Sequence, residues 1–165
     1  MDLQTVSIVV TAAGILISAA FAVQQLRNLV RNRQAQLFMQ LYDRFHDPEF
    51  WKQYGEIIHL SDWKDEKDFW DKYGPKNIHA FADWMSFGTY FSGIGVLLKR
   101  GMIDVGLVDD LIGDYVFWIW KKWKPLFQVW DQRKPMSIEW VEYLFDEITK
   151  ERERKQRMGI YRKET

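Results

Sequence analysis

The sequence predicts an all-α protein: one N-terminal membrane helix, a stalk that continues it, and a compact helical domain of about five helices. Three observations point there. Residues Leu3 to Val23 form a run of 21 positions without a charged side chain. Beyond them, apolar residues recur at helical spacing between recognisable helix starts and stops. No segment keeps the two-residue alternation of a strand, so no sheet is expected.

The first element sets the class. At 1.5 Å per residue the uncharged run spans roughly 32 Å, which matches a hydrocarbon core of about 30 Å. A cleaved secretory signal carries a basic start before a shorter apolar stretch. Here the chain starts Met1-Asp2, and the basic residues Arg27, Arg31 and Arg33 follow the run. Excess positive charge stays inside, so the N-terminus is expected outside and everything after Val23 in the cytoplasm. A retained single-pass anchor in the cell membrane fits this better than a signal peptide. The rival is a buried helix of a soluble protein, because Ser7, Thr11, Gly14 and Ser18 dilute the hydrophobicity. Length and flanking charge together favour the membrane, and they put Arg27, Arg31 and Arg33 at its surface or against a partner there.

The diluting residues keep a pattern. Ser7, Thr11, Gly14, Ser18 and Ala22 are spaced four, three, four and four, so all five share one helical face. In lipid, small residues let a second helix approach closely, and hydroxyls can bond across the contact. Ile8, Val9, Ile15, Leu16, Ile17 and Phe21 cover the other faces and suit lipid. This face is the expected contact with a partner helix, from another membrane subunit or from a second copy of the chain.

No Gly or Pro interrupts Ile15 to Asp47, so the helix is expected to continue as a stalk over residues 24–46. Its apolar stripe is Val23, Leu26, Val30, Leu37, Leu41 and Phe45, with a polar turn around Gln34. Asp47-Pro48-Glu49 then reads as a helix start: Asp caps, Pro suits the first turn, and Glu complements the dipole. That helix is expected to reach Ile58. Another begins at Ser61 or Asp62 and stops at Tyr73-Gly74-Pro75.

The next helix is expected from Asn77 to Arg100, with Gly101 as its stop. Trp84 to Leu98 is uncharged for 15 residues, which is short for a second span and fits a buried helix of the domain. Gly88, Ser92 and Gly95 lie near one face and offer a seat for a close neighbour. Asp104 caps a helix through Lys124, and Pro125 is expected to kink or restart it. Val116, Trp120, Trp123, Phe127 and Trp130 form a heptad-like stripe of large side chains. Pro135 and Ser137 open the last helix, whose inward face is Ile138, Val141, Leu144, Phe145 and Ile148. From Lys150 onward seven basic and three acidic residues read as a solvated, fraying end, with a charged tail over 151–165.

Together these features resemble a known pattern. Val96-Leu97-Leu98-Lys99-Arg100 ends a helix, Gly101-Met102-Ile103-Asp104 follows, and a Trp-rich helix, Pro125 and Arg133 come after. With the uncharged N-terminal span, this resembles an uncharacterised family of small bacterial and archaeal proteins. The resemblance covers most of the chain and implies one membrane helix with a helical cytoplasmic domain. It implies no chemistry. At Thr89 and Ser92 the chain departs from the Asn and Glu of that pattern.

Composition excludes several functions. The 23 Lys and Arg balance the 23 Asp and Glu, so the chain is no strongly basic nucleic-acid binder. Without Cys there are no disulfides, thiolate metal sites or Cys nucleophiles. No nucleophile elbow, phosphate loop or dinucleotide fingerprint occurs. Glu56 and His59 stand at the spacing used by di-iron bundles, but a second such motif is missing. His79 and Asp83 share a face and supply only two ligands, fewer than the three protein ligands of a catalytic zinc site. No metal or cofactor is therefore expected.

Trp118 to Lys124 reads Trp-Ile-Trp-Lys-Lys-Trp-Lys. Trp120 and Trp123 fall on the core stripe, whereas Trp118 falls off it and suits lipid or a partner. Lys121, Lys122 and Lys124 are candidates for the same contact. The 9 Trp and 7 Tyr favour an interface role, since these residues are enriched there. The expected function is a non-enzymatic accessory or scaffold subunit of a membrane complex. The alternatives are a membrane-anchored helical enzyme with a carboxylate–His site around Glu56, His59 and His79, and a lipid- or signal-sensing module.

Overall fold

The computed structural model describes residues 2–129 and 136–160, excluding the side chains of 127–129 and 136–138. Among them the chain is all-helical, with six α-helices and no strand. The expected stripe positions Phe127 and Trp130, the motif residue Arg133, and Pro135, Ser137 and Ile138 at the start of the last helix fall outside the described side chains. The chain divides into two compact units, residues 1–37 and 38–165.

The first unit is helical from Leu3, and α1 spans Leu3–Tyr42. Asp2 starts it: its carboxylate accepts the Thr5 backbone N–H at 2.9 Å and also the Thr5 hydroxyl. Every residue from Leu3 to Arg33 is exposed, including Leu16 at 71% and Leu26 at 62%. Among the described residues, this is the one helix long and apolar enough to cross a membrane.

The second unit begins inside α1. Phe38 is 1% exposed, and the Tyr90 hydroxyl donates to the Leu41 carbonyl at 2.6 Å. The stalk expected over residues 24–46 is α-helical only to Tyr42, where a tighter 3₁₀ turn, Asp43–His46, ends the helix. It turns Phe45 inward, where that ring meets Phe50 at 4.6 Å and Tyr115 at 5.5 Å.

Helix α2 is Pro48–Gly55, and the Asp47 carboxylate caps it by accepting the Glu49 N–H at 2.9 Å. A π-helical turn, Glu56–Leu60, extends it past the expected end. The start expected at Ser61 or Asp62 lies instead at Asp65, which caps α3, Glu66–Tyr73, through the Asp68 N–H at 2.8 Å. Ser61 and Asp62 are engaged elsewhere. The Ser61 hydroxyl donates to the Ile57 carbonyl, and the Asp62 N–H donates to the Tyr73 hydroxyl at 3.1 Å.

Helix α4, Ile78–Lys99, starts at the Asn77 cap and ends at Gly101, whose φ is +64°. Met102 N–H reaches the Leu97 carbonyl and Gly101 N–H the Leu98 carbonyl, both at 2.9 Å, which is the paired closure that a left-handed glycine permits. Phe87, Phe91 and Ile94 are fully buried, as expected of a core helix. Gly95 sits against Trp140 of the last helix, whose carbonyl oxygen leaves no room for a Cβ.

Helix α5, Val105–Val129, begins where Asp104 accepts the Leu107 N–H at 3.0 Å. It does not restart at Pro125, which lies inside it. Val116, Trp120 and Trp123 are buried, and so are Val141, Leu144 and Ile148 of α6, Met136–Arg157. Phe145 is half-buried and stacks on Trp120 at 5.5 Å. The fraying end expected after Lys150 is corrected: α6 continues to Arg157, and Glu151 and Lys155 are buried at 6% and 8% exposure.

Candidate functional site

Along α1 the residues Ser7, Thr11, Gly14, Ser18 and Ala22 are all exposed. A Cβ at Gly14 would meet nothing within 4 Å. The Ser18 hydroxyl donates to the Gly14 carbonyl at 2.8 Å, so its hydrogen is used inside the helix and its oxygen lone pairs face outward. Arg27, Arg31 and Arg33 are exposed, and none of the ion pairs among the described residues includes them.

In the second unit a cleft of about 800 Å³ opens between the π-helical turn and α5. Tyr54 and His59 line one wall; Asp110, Tyr115, Trp118 and Lys121 line the other. Trp118 is 49% exposed with the Lys121 ammonium 4.9 Å above its ring. Phe117 beside it is 45% exposed, so these two aromatics form an exposed pair on α5. Lys124 is also exposed. Lys122 departs from the expected surface role. Its ammonium donates to the Ser61 carbonyl and lies 4.8 Å over the Trp63 ring, which ties the segment before α3 to α5. Burial pulls the Lys122 pKa down, against the opposing charge of Asp62.

The cleft borders an ion cluster that the sequence reading missed. Asp109 accepts Arg152 Nε at 2.6 Å and Lys155 Nζ at 2.8 Å. Arg152 also reaches Asp114 at 2.8 Å, and Lys155 reaches Asp110 at 2.6 Å. Burial works against the charge of both cations, yet these hydrogen bonds outweigh it and their pKa values rise. Gly113 lies under the cluster, and a Cβ there would sit 2.5 Å from Arg152 Nη2 and Asp109 Oδ1, so these side-chain ends would have to shift. The signal available in the sequence was the acidic pair Asp109-Asp110 facing a basic helix end. Reading that end as solvated hid it.

Tyr54 stands among Trp51, Phe87 and Tyr115 at ring distances of 5.7 to 6.1 Å. Burial, then Tyr115 and Asp114, push its phenol up to about 12. At neutral pH it is therefore a hydrogen-bond donor in the cleft and no base.

The structure divides Glu56, His59 and His79. Glu56 and His79, with Asp83, line a second cavity of about 360 Å³, whereas His59 lines the larger cleft. The cause is the π-helical turn, whose i→i+5 winding spreads residues three apart further around the axis than an α-turn does. Among the described residues no group of three His, Asp or Glu side chains is placed to hold a metal ion.

These features define an all-helical protein with a long, apolar, exposed N-terminal helix and a second unit that carries a mixed aromatic and charged cleft. No family model matches the chain, and neither does any curated protein or solved structure. Its function is therefore read from its own residues.

Proposed function

We propose that this chain is a single-pass membrane protein acting as a non-enzymatic accessory or scaffold subunit, with its N-terminus outside and its helical domain in the cytoplasm. One observation carries the reading: Leu3 to Val23 are exposed on every face of a helix long enough to cross a bilayer. Apolar surface left in water costs about 25 cal/mol per Å², and lipid or a partner helix removes that cost. The bulky residues Ile8, Val9, Ile15, Leu16, Ile17 and Phe21 meet acyl chains. Ser7, Thr11, Gly14, Ser18 and Ala22 meet a helix of another membrane subunit or of a second copy.

A second contact forms at the cytoplasmic side, through Phe117, Trp118, Lys121 and Lys124. Half-exposed aromatics beside cations are the kind of surface that protein interfaces enrich. The reading needs no cofactor and no nucleic acid.

Gentle detergent extraction of the full-length chain, followed by size and mass analysis, tests it. One large complex of fixed stoichiometry is expected, and Gly14→Leu/Ser18→Leu should shift at least half of the chain to a smaller species. A lone monomer, or a complex indifferent to both substitutions, contradicts the reading.

A further inference from the structure

The face of α1 just beyond the uncharged run is ordered along its length. Val23, Leu26, Arg27, Val30, Arg31 and Gln34 line one groove on the helix surface. Val23, which ends the run, and Leu26 come first, and the two arginines follow at i and i+4 on either side of Val30, with Cβ atoms about 5–6 Å apart. No Asp or Glu occurs between Asp2 and Asp43. Among the described residues no ion pair involves Arg27 or Arg31, so two guanidinium groups on one face stand without a carboxylate. Helical side chains lean toward the N-terminus, so both arginines reach back toward the apolar run. Arg31 lies about 12 Å along the axis from Val23, within reach of the headgroup layer.

We infer that this face seats an anionic phospholipid of the inner leaflet, with its acyl region on Val23 and Leu26 and its phosphate held between Arg27 and Arg31. The inference rests on the membrane-anchor reading and names a ligand for it. Charge complementarity selects the occupant: guanidinium groups bind phosphate oxygens bidentately, and the apolar-to-basic order of the face follows the order of groups in a lipid. Arg33 is two residues beyond Arg31 and turns to another side, so it serves as a control of equal charge.

The test reconstitutes the full-length chain in vesicles of phosphatidylcholine with about a quarter phosphatidylglycerol. It first checks retention after alkaline washing, then measures the lipid that stays bound after mild detergent extraction. Retention in the bilayer is expected, with phosphatidylglycerol enriched about tenfold over phosphatidylcholine in the bound fraction. Arg27→Gln/Arg31→Gln should abolish the enrichment, and Arg33→Gln should preserve it. Release of the chain by alkali overturns the anchor reading and this inference with it. A retained chain with no enrichment, or one that loses it equally with Arg33→Gln, overturns this inference alone. Enrichment that survives the double substitution does the same and points Arg27 and Arg31 toward an acidic partner protein.

Discussion

Asp109 has 1% of its side chain exposed and lies between two cations, Arg152 at 2.6 Å and Lys155 at 2.8 Å. A buried carboxylate that loses a cation is left poorly paired, and breaking such a pair costs several kcal/mol. Because Arg152 remains, Lys155→Met should lower the unfolding free energy by about 2–3 kcal/mol, measured by chemical denaturation in detergent. An unchanged midpoint would mean that the cluster contributes little to holding α5 against α6. Tyrosines set the alkaline limit. Tyr54 is pushed up to about 12, and burial raises Tyr90 too against the opposing charge of Arg44. A phenol with a raised folded pKa holds its proton after the unfolded chain has released it. Its stabilising effect is therefore full below the unfolded value near 10 and is lost as pH rises toward 12. The thermal midpoint should fall steadily between those limits, and Tyr54→Phe should make the fall shallower.

At the scale of helices, two glycines of α4 face different neighbours. A Cβ at Gly95 would lie 2.1 Å from the Trp140 carbonyl oxygen, whereas one at Gly88 would lie 3.5 Å from the Trp123 ring. The first contact is with backbone, so Gly95→Ala must separate α4 from α6 and should cost about 3 kcal/mol. Gly88→Ala meets ordinary van der Waals contact and gains helix propensity, so it should be neutral or stabilising by up to about 1 kcal/mol. Comparing the two melting curves tests this, and equal destabilisation would sink it. The seat at Gly88, Ser92 and Gly95 was legible in the sequence because small residues at helical spacing have few other uses. So were the caps at Asp47 and Asp104 and the stop at Gly101, whose geometry depends on a few adjacent residues. The 3₁₀ turn at Asp43–His46 and the π-helical turn at Glu56–Leu60 were not. Both are set by what the turn packs on, and the second one parts His59 from Glu56. The start at Asp65 was hidden likewise, because Lys122 of α5 claims the Ser61 carbonyl from 61 positions away.

At the scale of the whole molecule, the aromatic surplus that suggested an interface goes largely into the second unit. Phe45, Phe50, Phe87 and Phe91 are buried, and so are Trp120 and Trp123. Among the described residues of the second unit, the exposed aromatics are fewer than composition implied: the Phe117–Trp118 pair, with Trp51 and Trp70 partly exposed. The ion cluster was missed because it joins residues 38 to 46 positions apart. By contrast, the long apolar helix at the start of α1 could be read directly, since a long uncharged run followed by arginines is a local pattern. The central claim is that α1 crosses the membrane once, with residue 2 outside and the helical unit inside. The chain contains no Cys, so any thiol introduced is unique. The most direct measurement labels Asp2→Cys and Glu153→Cys separately in intact cells with a membrane-impermeant maleimide, before and after permeabilisation. The account predicts that the thiol at position 2 reacts in intact cells and the thiol at position 153 reacts only once the membrane is opened. Equal reactivity of both thiols in intact cells, or labelling in the reverse order, would contradict it.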